Sequence, residues 1–139
     1  MIDIDNRTSL KIDESLLNTI ATKLTDKDIE LLIVDEEEMK NINKLHRNIE
    51  KSTDVLSFPY EEMPMSPLGS IVISSFHIET LANKLGHTNN DELNLLFIHG
   101  ILHLLAYDHE VDNGEMKEEE ERLINEFNLP KSLITRIQG

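Results

Sequence analysis

Cysteine is absent from the 139 residues of this chain. Disulfides, iron–sulfur clusters and thiol chemistry are therefore excluded, which accords with a reducing compartment. Long apolar runs are missing as well, and the longest fall far short of spanning a bilayer. The first residues, Met-Ile-Asp-Ile-Asp-Asn-Arg, contain no basic segment followed by an apolar one, so no secretory signal is expected. Positive charge is scarce too. Thirteen Lys and Arg stand against 27 Asp and Glu, a formal net charge of −14. Such a chain stays soluble and has little general affinity for nucleic acid. Apolar residues make up 39%, on the low side yet compatible with a globular protein. The length suggests one domain, 1–139, with enough chain to bury a sizeable core. No repeat, low-complexity segment or linker interrupts it.

What the chain does have is a concentration of histidine. Three of its six histidines fall in Phe97–Glu110, at His99, His103 and His109. The first two are four apart in a run with helical character. Residues so spaced share a helix face, with Cβ atoms roughly 5–6 Å apart, and both imidazoles can reach one ion at about 2.0–2.1 Å. The third cannot share that face if the helix continues. Six residues carry it some 240° round and about 9 Å along. The helix must therefore end near Ala106, with Tyr107 and Asp108 turning the chain back. Three neutral nitrogens with one position open form the ligand set of a catalytic zinc site. A lone histidine in an apolar helix is ordinarily a hydrogen-bonded core residue; three at this spacing point to a metal. Leu93, Leu95–Ile98, Ile101, Leu102, Leu104 and Leu105 wrap the helix almost all round, so it should be buried. Polar rings there need partners.

Periodicity supplies the rest of the elements. Met1–Asp5 alternates as a strand does. Leu16, Leu17, Ile20 and Leu24 recur at helical spacing, with Asp13 as the expected cap. Ile29–Val34 is a compact apolar run that suits a central strand. Asp35 caps a helix reaching about Asn48, and its acidic first turn, Glu36 to Glu38, suits the positive end of the helix dipole. Val55–Phe58 reads as a short strand stopped by Pro59, residues 60–69 as a loop, Ser70–Ser74 as a strand, and Phe76–Leu85 as a helix stopped by Gly86. Asn89 or Asn90 starts the histidine helix, with Glu92 available for a capping box. Glu115–Phe127 closes the series, with Met116, Leu123, Ile124 and Phe127 inward. The tail from Leu129 takes no assignment. This order predicts an α+β fold in which a mixed sheet of about four strands packs against helices, around a central buried helix that carries two of the metal-ligand histidines. Strand order is not legible.

Other features are weighed against plainer readings. Lys40, Lys44, Arg47 and Lys51 form one basic stripe if the second helix runs that far; the spacing alone favours a solvated face over a track for phosphates that Arg47 clamps. Glu118–Glu121 reads as a solvated face. Asp108, beside a ligand, is a better candidate for a supporting acceptor or base than Glu110, Asp112 or Glu115, which read as loop charge. His46, His77 and His87 lack ligand spacing. An open zinc would polarise carbonyl or phosphoryl oxygens, so hydrolysis is the default reaction class. The His-x3-His-x5-His spacing resembles that of the metzincin proteases. That motif, however, places a glutamate base after its first histidine, where this chain has Gly100, and a later glycine where this chain has Ala106.

A second resemblance is more extensive. His99-Gly100, Leu102-His103-Leu104 and Tyr107-Asp108-His109 are similar to the signature of the YbeY family. Leu45 and Arg47, then Thr53-Asp54-Val55-Leu56-Ser57-Phe58-Pro59, form a second matching block, and Leu68-Gly69 a third. Two positions depart: Ala106 stands where most members have glycine, and Ser70 where many have aspartate. The resemblance implies a single-strand-specific, metal-dependent endoribonuclease of the bacterial cytoplasm, acting in ribosomal RNA maturation and ribosome quality control. It implies one Zn2+ per chain on His99, His103 and His109, Arg47 as a catalytic residue beside it, and single-stranded or ribosomal RNA, the ribosome or its associated proteins as partners, with no membrane. The alternatives are a metallohydrolase of peptides or small molecules, and a ribosome assembly factor with a structural metal.

Overall fold

A computed structural model describes residues 2–61, 63, 65–108 and 110–130, and the structural statements below concern these. Met1, His109 and most of the unassigned tail thus lie outside the described residues. The elements run β1 Ile2–Asn6, α1 Ser15–Leu24, β2 Ile29–Val34, α2 Glu36–Arg47, β3 Val55–Pro59, β4 Gly69–Ser74, α3 Ser75–Leu85, α4 Asn89–Leu104 and α5 Glu115–Glu126. The four strands form one mixed sheet in the order β1-β2-β4-β3. β1 and β4 flank β2 in parallel, and β3 runs antiparallel to β4 at the edge. The expected α+β architecture is the one observed.

β2 is central for the reason its composition suggests. Ile29, Leu31 and Ile33 enter the main core, while Val34 joins a second cluster with Met39 of α2. A strand covered on both faces loses its polar alternation. One face of the sheet carries α2 through Met39 and Ile42, against Leu56, Val72 and Phe58. The other carries the main core, to which α1 contributes Leu17 and Ile20, α3 Ile78, α5 Met116, Leu123 and Ile124, and α4 eight buried apolar side chains. Phe97, Ile98, Ile101 and Leu102 of α4 are fully buried, each contributing roughly 1.5–3 kcal/mol relative to exposure. Among the described residues, no helix is long and apolar enough to cross a membrane.

Several local expectations need correction. Asp13 does not cap α1; its carboxylate takes the Ser15 amide and hydroxyl in a turn before the helix, and Glu14 occupies the cap position without a side-chain bond. α4 is capped by Thr88, and the capping box is completed by Asp91 rather than Glu92. Glu92 instead faces the His87 ring at 2.7 Å, both side chains being almost fully buried. Pro59 does not stop β3 but ends it from within, which an edge strand tolerates because an outward-facing position needs no N–H. β4 begins at Gly69 and α3 at Ser75, each one residue earlier than the pattern predicts. Asp35 caps α2 as expected, accepting from the Glu38 amide at 2.8 Å.

The seat of α4 depends on a missing side chain. A Cβ on Gly100 would lie 2.9 Å from Ile71 Cγ2 and 3.3 Å from Ser57 Oγ. Ser57 Oγ also donates to the Gly100 carbonyl at 3.0 Å. The helix therefore lies directly on β3 and β4 at this point. Gly100→Ala gains roughly 1 kcal/mol of helix propensity, but overpacking against a fully buried, β-branched neighbour costs about 1–3 kcal/mol. Packing should win. Urea denaturation of the variant is expected to show a lowered midpoint, and a raised one would refute the close approach as the reason for glycine.

Candidate metal centre

His99 and His103 emerge on one face of α4, as their spacing predicts, and their rings lie edge to face with Nε2 atoms 3.1 Å apart. Each ring is anchored from behind. His103 Nδ1 lies 3.1 Å from the Tyr107 carbonyl oxygen, and His99 Nδ1 lies 2.8 Å from Glu120 Oε1. A carbonyl and a carboxylate only accept, so both rings donate from Nδ1. In a neutral imidazole the other nitrogen is then a lone pair. Two lone pairs consequently point at the same place. Nitrogens at about 2.0–2.1 Å from one tetrahedral ion sit roughly 3.3–3.4 Å apart, so the spacing and the tautomers fit a divalent metal of zinc type. His109, the third expected ligand, lies outside the described residues. Among the described residues, no group of three His, Cys, Asp or Glu side chains is placed to share an ion.

α4 does end where the argument requires. After Leu105 the chain makes a paired closure: Ala106 N donates to His103 O and Tyr107 N to Leu102 O, both at 3.0 Å. This double bond pattern needs a left-handed residue at its first step. Ala106 takes it, with φ of 76°. The substitution of alanine at a position suited to glycine is thus resolved as strain rather than as an ordinary turn. The same turn presents the Tyr107 carbonyl to His103, so the stop signal and the ring anchor are one structure.

Both imidazoles open into a cleft of about 550 Å³ that is also lined by Arg47, Asp54, Ser57 and Tyr107. Arg47 is the last residue of α2, and Asn48 then turns left-handed with φ of 56°. Buried Asn43 donates to the Lys51 carbonyl at 2.8 Å, pulling the following segment back against α2. Two features of the expected stripe change. Lys51 lies beyond the helix, and Lys44 pairs with Glu50 at 3.3 Å. Arg47 has no carboxylate partner among the described residues and faces the cleft.

β3 forms a wall of this cleft. Ser74 N donates to Asp54 O and Tyr60 N to Leu68 O, so residues 54, 56, 58 and 60 bond inward toward β4. Antiparallel alternation turns the backbone of Val55, Ser57 and Pro59 outward. The Val55 amide is taken by the Asp54 carboxylate at 2.8 Å, and Pro59 has none. Of these three residues only Ser57 offers an N–H; all three offer carbonyls.

Sequence reasoning missed Glu120. The Glu118–Glu121 run was expected to be solvated, yet the Glu120 side chain is only 4% exposed. The available signal was its place four residues after Met116 and four before Ile124, on the buried stripe of α5. The loop acids act largely as loop charge. Asp112 accepts from Gly114 N and Met116 N, Glu115 from Asn113 N, and Asp108 from Glu110 N, so all three shape the loop that leads into α5. Asp108 and Glu110 also line the cleft. Ser70 lies on the opposite side of the sheet beside Asp3, Asp5 and Glu30, so the missing aspartate does not concern the cleft.

Comparison with known proteins shows the family of the chain. The family described as Endoribonuclease YbeY matches residues 2–128. A protein of that name from Sulfurimonas denitrificans is 64% identical over 139 residues, covering all of both chains. One from Helicobacter pylori is 52% identical over 139 residues, covering 99% of each. The solution structure of TM1509 from Thermotoga maritima superposes with a TM-score of 0.63 at 30% identity, over 91% of this chain and 89% of that one. The chain belongs to the YbeY endoribonuclease family.

Relief of the strain at Ala106 provides a direct check on the helix stop. A left-handed alanine costs roughly 1–2 kcal/mol, partly offset by the roughly 0.5–1 kcal/mol that glycine loses in backbone entropy. Ala106→Gly should therefore raise stability by about 0.5–1 kcal/mol and Tm by roughly 2–3 °C, measured by thermal unfolding of the metal-free protein. A lowered Tm would contradict a left-handed stop.

Proposed function

We propose that this protein is a zinc-dependent endoribonuclease of single-stranded RNA, with one ion per chain on His99, His103 and His109 and with Arg47 at the scissile phosphate. The observation that carries the proposal is the pair of Nε2 atoms 3.1 Å apart, each aimed by an anchored Nδ1, in a cleft shared with Arg47. Zinc, when bound, supplies a Lewis acid that polarises a phosphoryl oxygen and activates a nucleophile. The chain's own groups do the rest. The Arg47 guanidinium, free of acidic partners among the described residues, donates through its planar fork to the non-bridging oxygens as charge grows on them. The Ser57 amide points into the same space as a second, neutral donor. Outward carbonyls of Val55, Ser57 and Pro59 accept from ribose hydroxyls and base amines, and the 2′-hydroxyl is what distinguishes RNA from DNA.

The same edge opposes the peptidase alternative. A peptide adds to a sheet edge through alternating N–H and C=O groups. Here a carboxylate has taken one outward N–H and a proline has removed another. Gly100, where the proteases carry their glutamate, is buried against Ile71, so that position has no access to substrate.

The substrate range extends, in this proposal, to ribosomal RNA during maturation and quality control in the cytoplasm. With a net charge of −14 the surface repels RNA at large, so the ribosome or a protein bound to it supplies the docking contacts and the cleft contributes local ones.

The test is metal analysis together with cleavage of a single-stranded oligoribonucleotide. Wild type is expected to take up one zinc and to cut the RNA, and to leave casein intact. Arg47→Ala should retain the zinc and lose about 10²–10³-fold in kcat, as for removal of one charge-stabilising donor. Being exposed, the residue should leave Tm almost unchanged. Cleavage by Arg47→Ala within threefold of wild type would remove the arginine from the mechanism. A folded His103→Ala variant that still supports ribosomal RNA processing would assign the metal a structural role instead.

A further inference from the structure

We infer that Glu120 is a positioning residue for the metal centre: its buried carboxylate fixes the His99 tautomer and ring plane so that Nε2 faces the ion. This rests on the zinc reading above and deepens it. Three observations meet here. Glu120 Oε1 is 2.8 Å from His99 Nδ1, a distance suited to a charge-assisted bond. The side chain is 4% exposed, and burying a carboxylate is costly unless a donor meets it. And α5, which carries it, is fastened in the core by Met116, Leu123 and Ile124 on the same face. A solvent-facing glutamate at this site could swing away; this one is held by the packing of its own helix. Its neighbour Glu119 does what the run as a whole was expected to do, pairing with Arg122 at the surface.

The contrast between the two anchors gives the role its content. His103 Nδ1 is directed by a backbone carbonyl that follows automatically from the helix stop. His99 sits one turn earlier, in the middle of α4, where every backbone carbonyl belongs to the helix ladder. Its acceptor has to come from another element, and α5 brings it. In sequence, Tyr107 lies near the start of the loop 105–114 and Glu120 beyond its end. Tyr107 ties its start to one ring, and α5, entered from its end, ties back to the other.

The experiment reads the ring first and the metal second. In metal-free wild-type protein at a pH where the imidazoles are neutral, long-range 1H–15N correlation should show His99 as the Nδ1–H tautomer. In Glu120→Gln, whose amide can also donate to Nδ1, a share of the opposite tautomer should appear. Competition with a chromogenic chelator should give a zinc affinity 10- to 100-fold weaker in Glu120→Gln, and unchanged in the surface control Glu119→Gln. An Nε2–H tautomer at His99 in wild type overturns the inference without recourse to any variant. So does a folded Glu120→Gln whose zinc affinity stays within twofold of wild type. Absence of zinc uptake by the wild type would instead overturn the proposed function, and the tautomer measured in the metal-free protein would still decide whether Glu120 directs the ring.

Discussion

Two imidazoles inside an apolar helix each donate from Nδ1 to a fixed acceptor, which leaves their Nε2 atoms turned toward each other. α4 is packed on both sides, by the sheet and by α1, α3 and α5, so its rings have little choice of partner. One partner is the carbonyl released by the helix stop at Tyr107, and the other is the carboxylate of Glu120 on α5. The stop, the loop and the last helix are therefore arranged to serve two hydrogen bonds. Net stabilisation from each is modest, on the order of 1–3 kcal/mol. Their importance lies in direction, because a ring turned by half a revolution would present a C–H where Nε2 now stands.

The same site depends on how closely backbones approach one another. Gly100 lets α4 rest on Ile71 and Ser57, and a Cβ on Gly69 would meet Phe58 O at 2.5 Å and Leu104 Cδ2 at 2.7 Å. Both glycines lie where α4, β3 and β4 converge, beneath the cleft. Their absence of side chains brings the edge strand within reach of the imidazoles. At Ala106 the opposite compromise is made. The turn there calls for a residue indifferent to positive φ, and this chain carries a methyl group and the attendant strain.

Positive charge in this protein is sparse. Most lysines and arginines sit among a large excess of carboxylates, and Arg7, Lys23, Lys44 and Arg122 are all in ion pairs. Arg47 has no carboxylate partner among the described residues; α2 ends with it, and the chain turns away at Asn48. Arg47 lies at the mouth of the histidine-lined cleft, where a planar cationic fork suits an anionic ligand.

Much of this was legible in the residues alone. Histidine spacing fixed which two rings converge, and the need for a third to approach required the helix to end near Ala106, where it does end. The apolar run of β2 announced a central strand, and the fold class followed from element order. These are local properties, set by periodicity along one segment. What tertiary structure alone decided was every relation between segments. The edge position of β3, the exposure of Arg47 to the cleft and the burial of Glu120 within an acidic run depend on which helix faces lie together. Among four consecutive glutamates the spacing from Met116 and Ile124 marks the face on which Glu120 lies, but only the packing of α5 against α4 brings its carboxylate to His99.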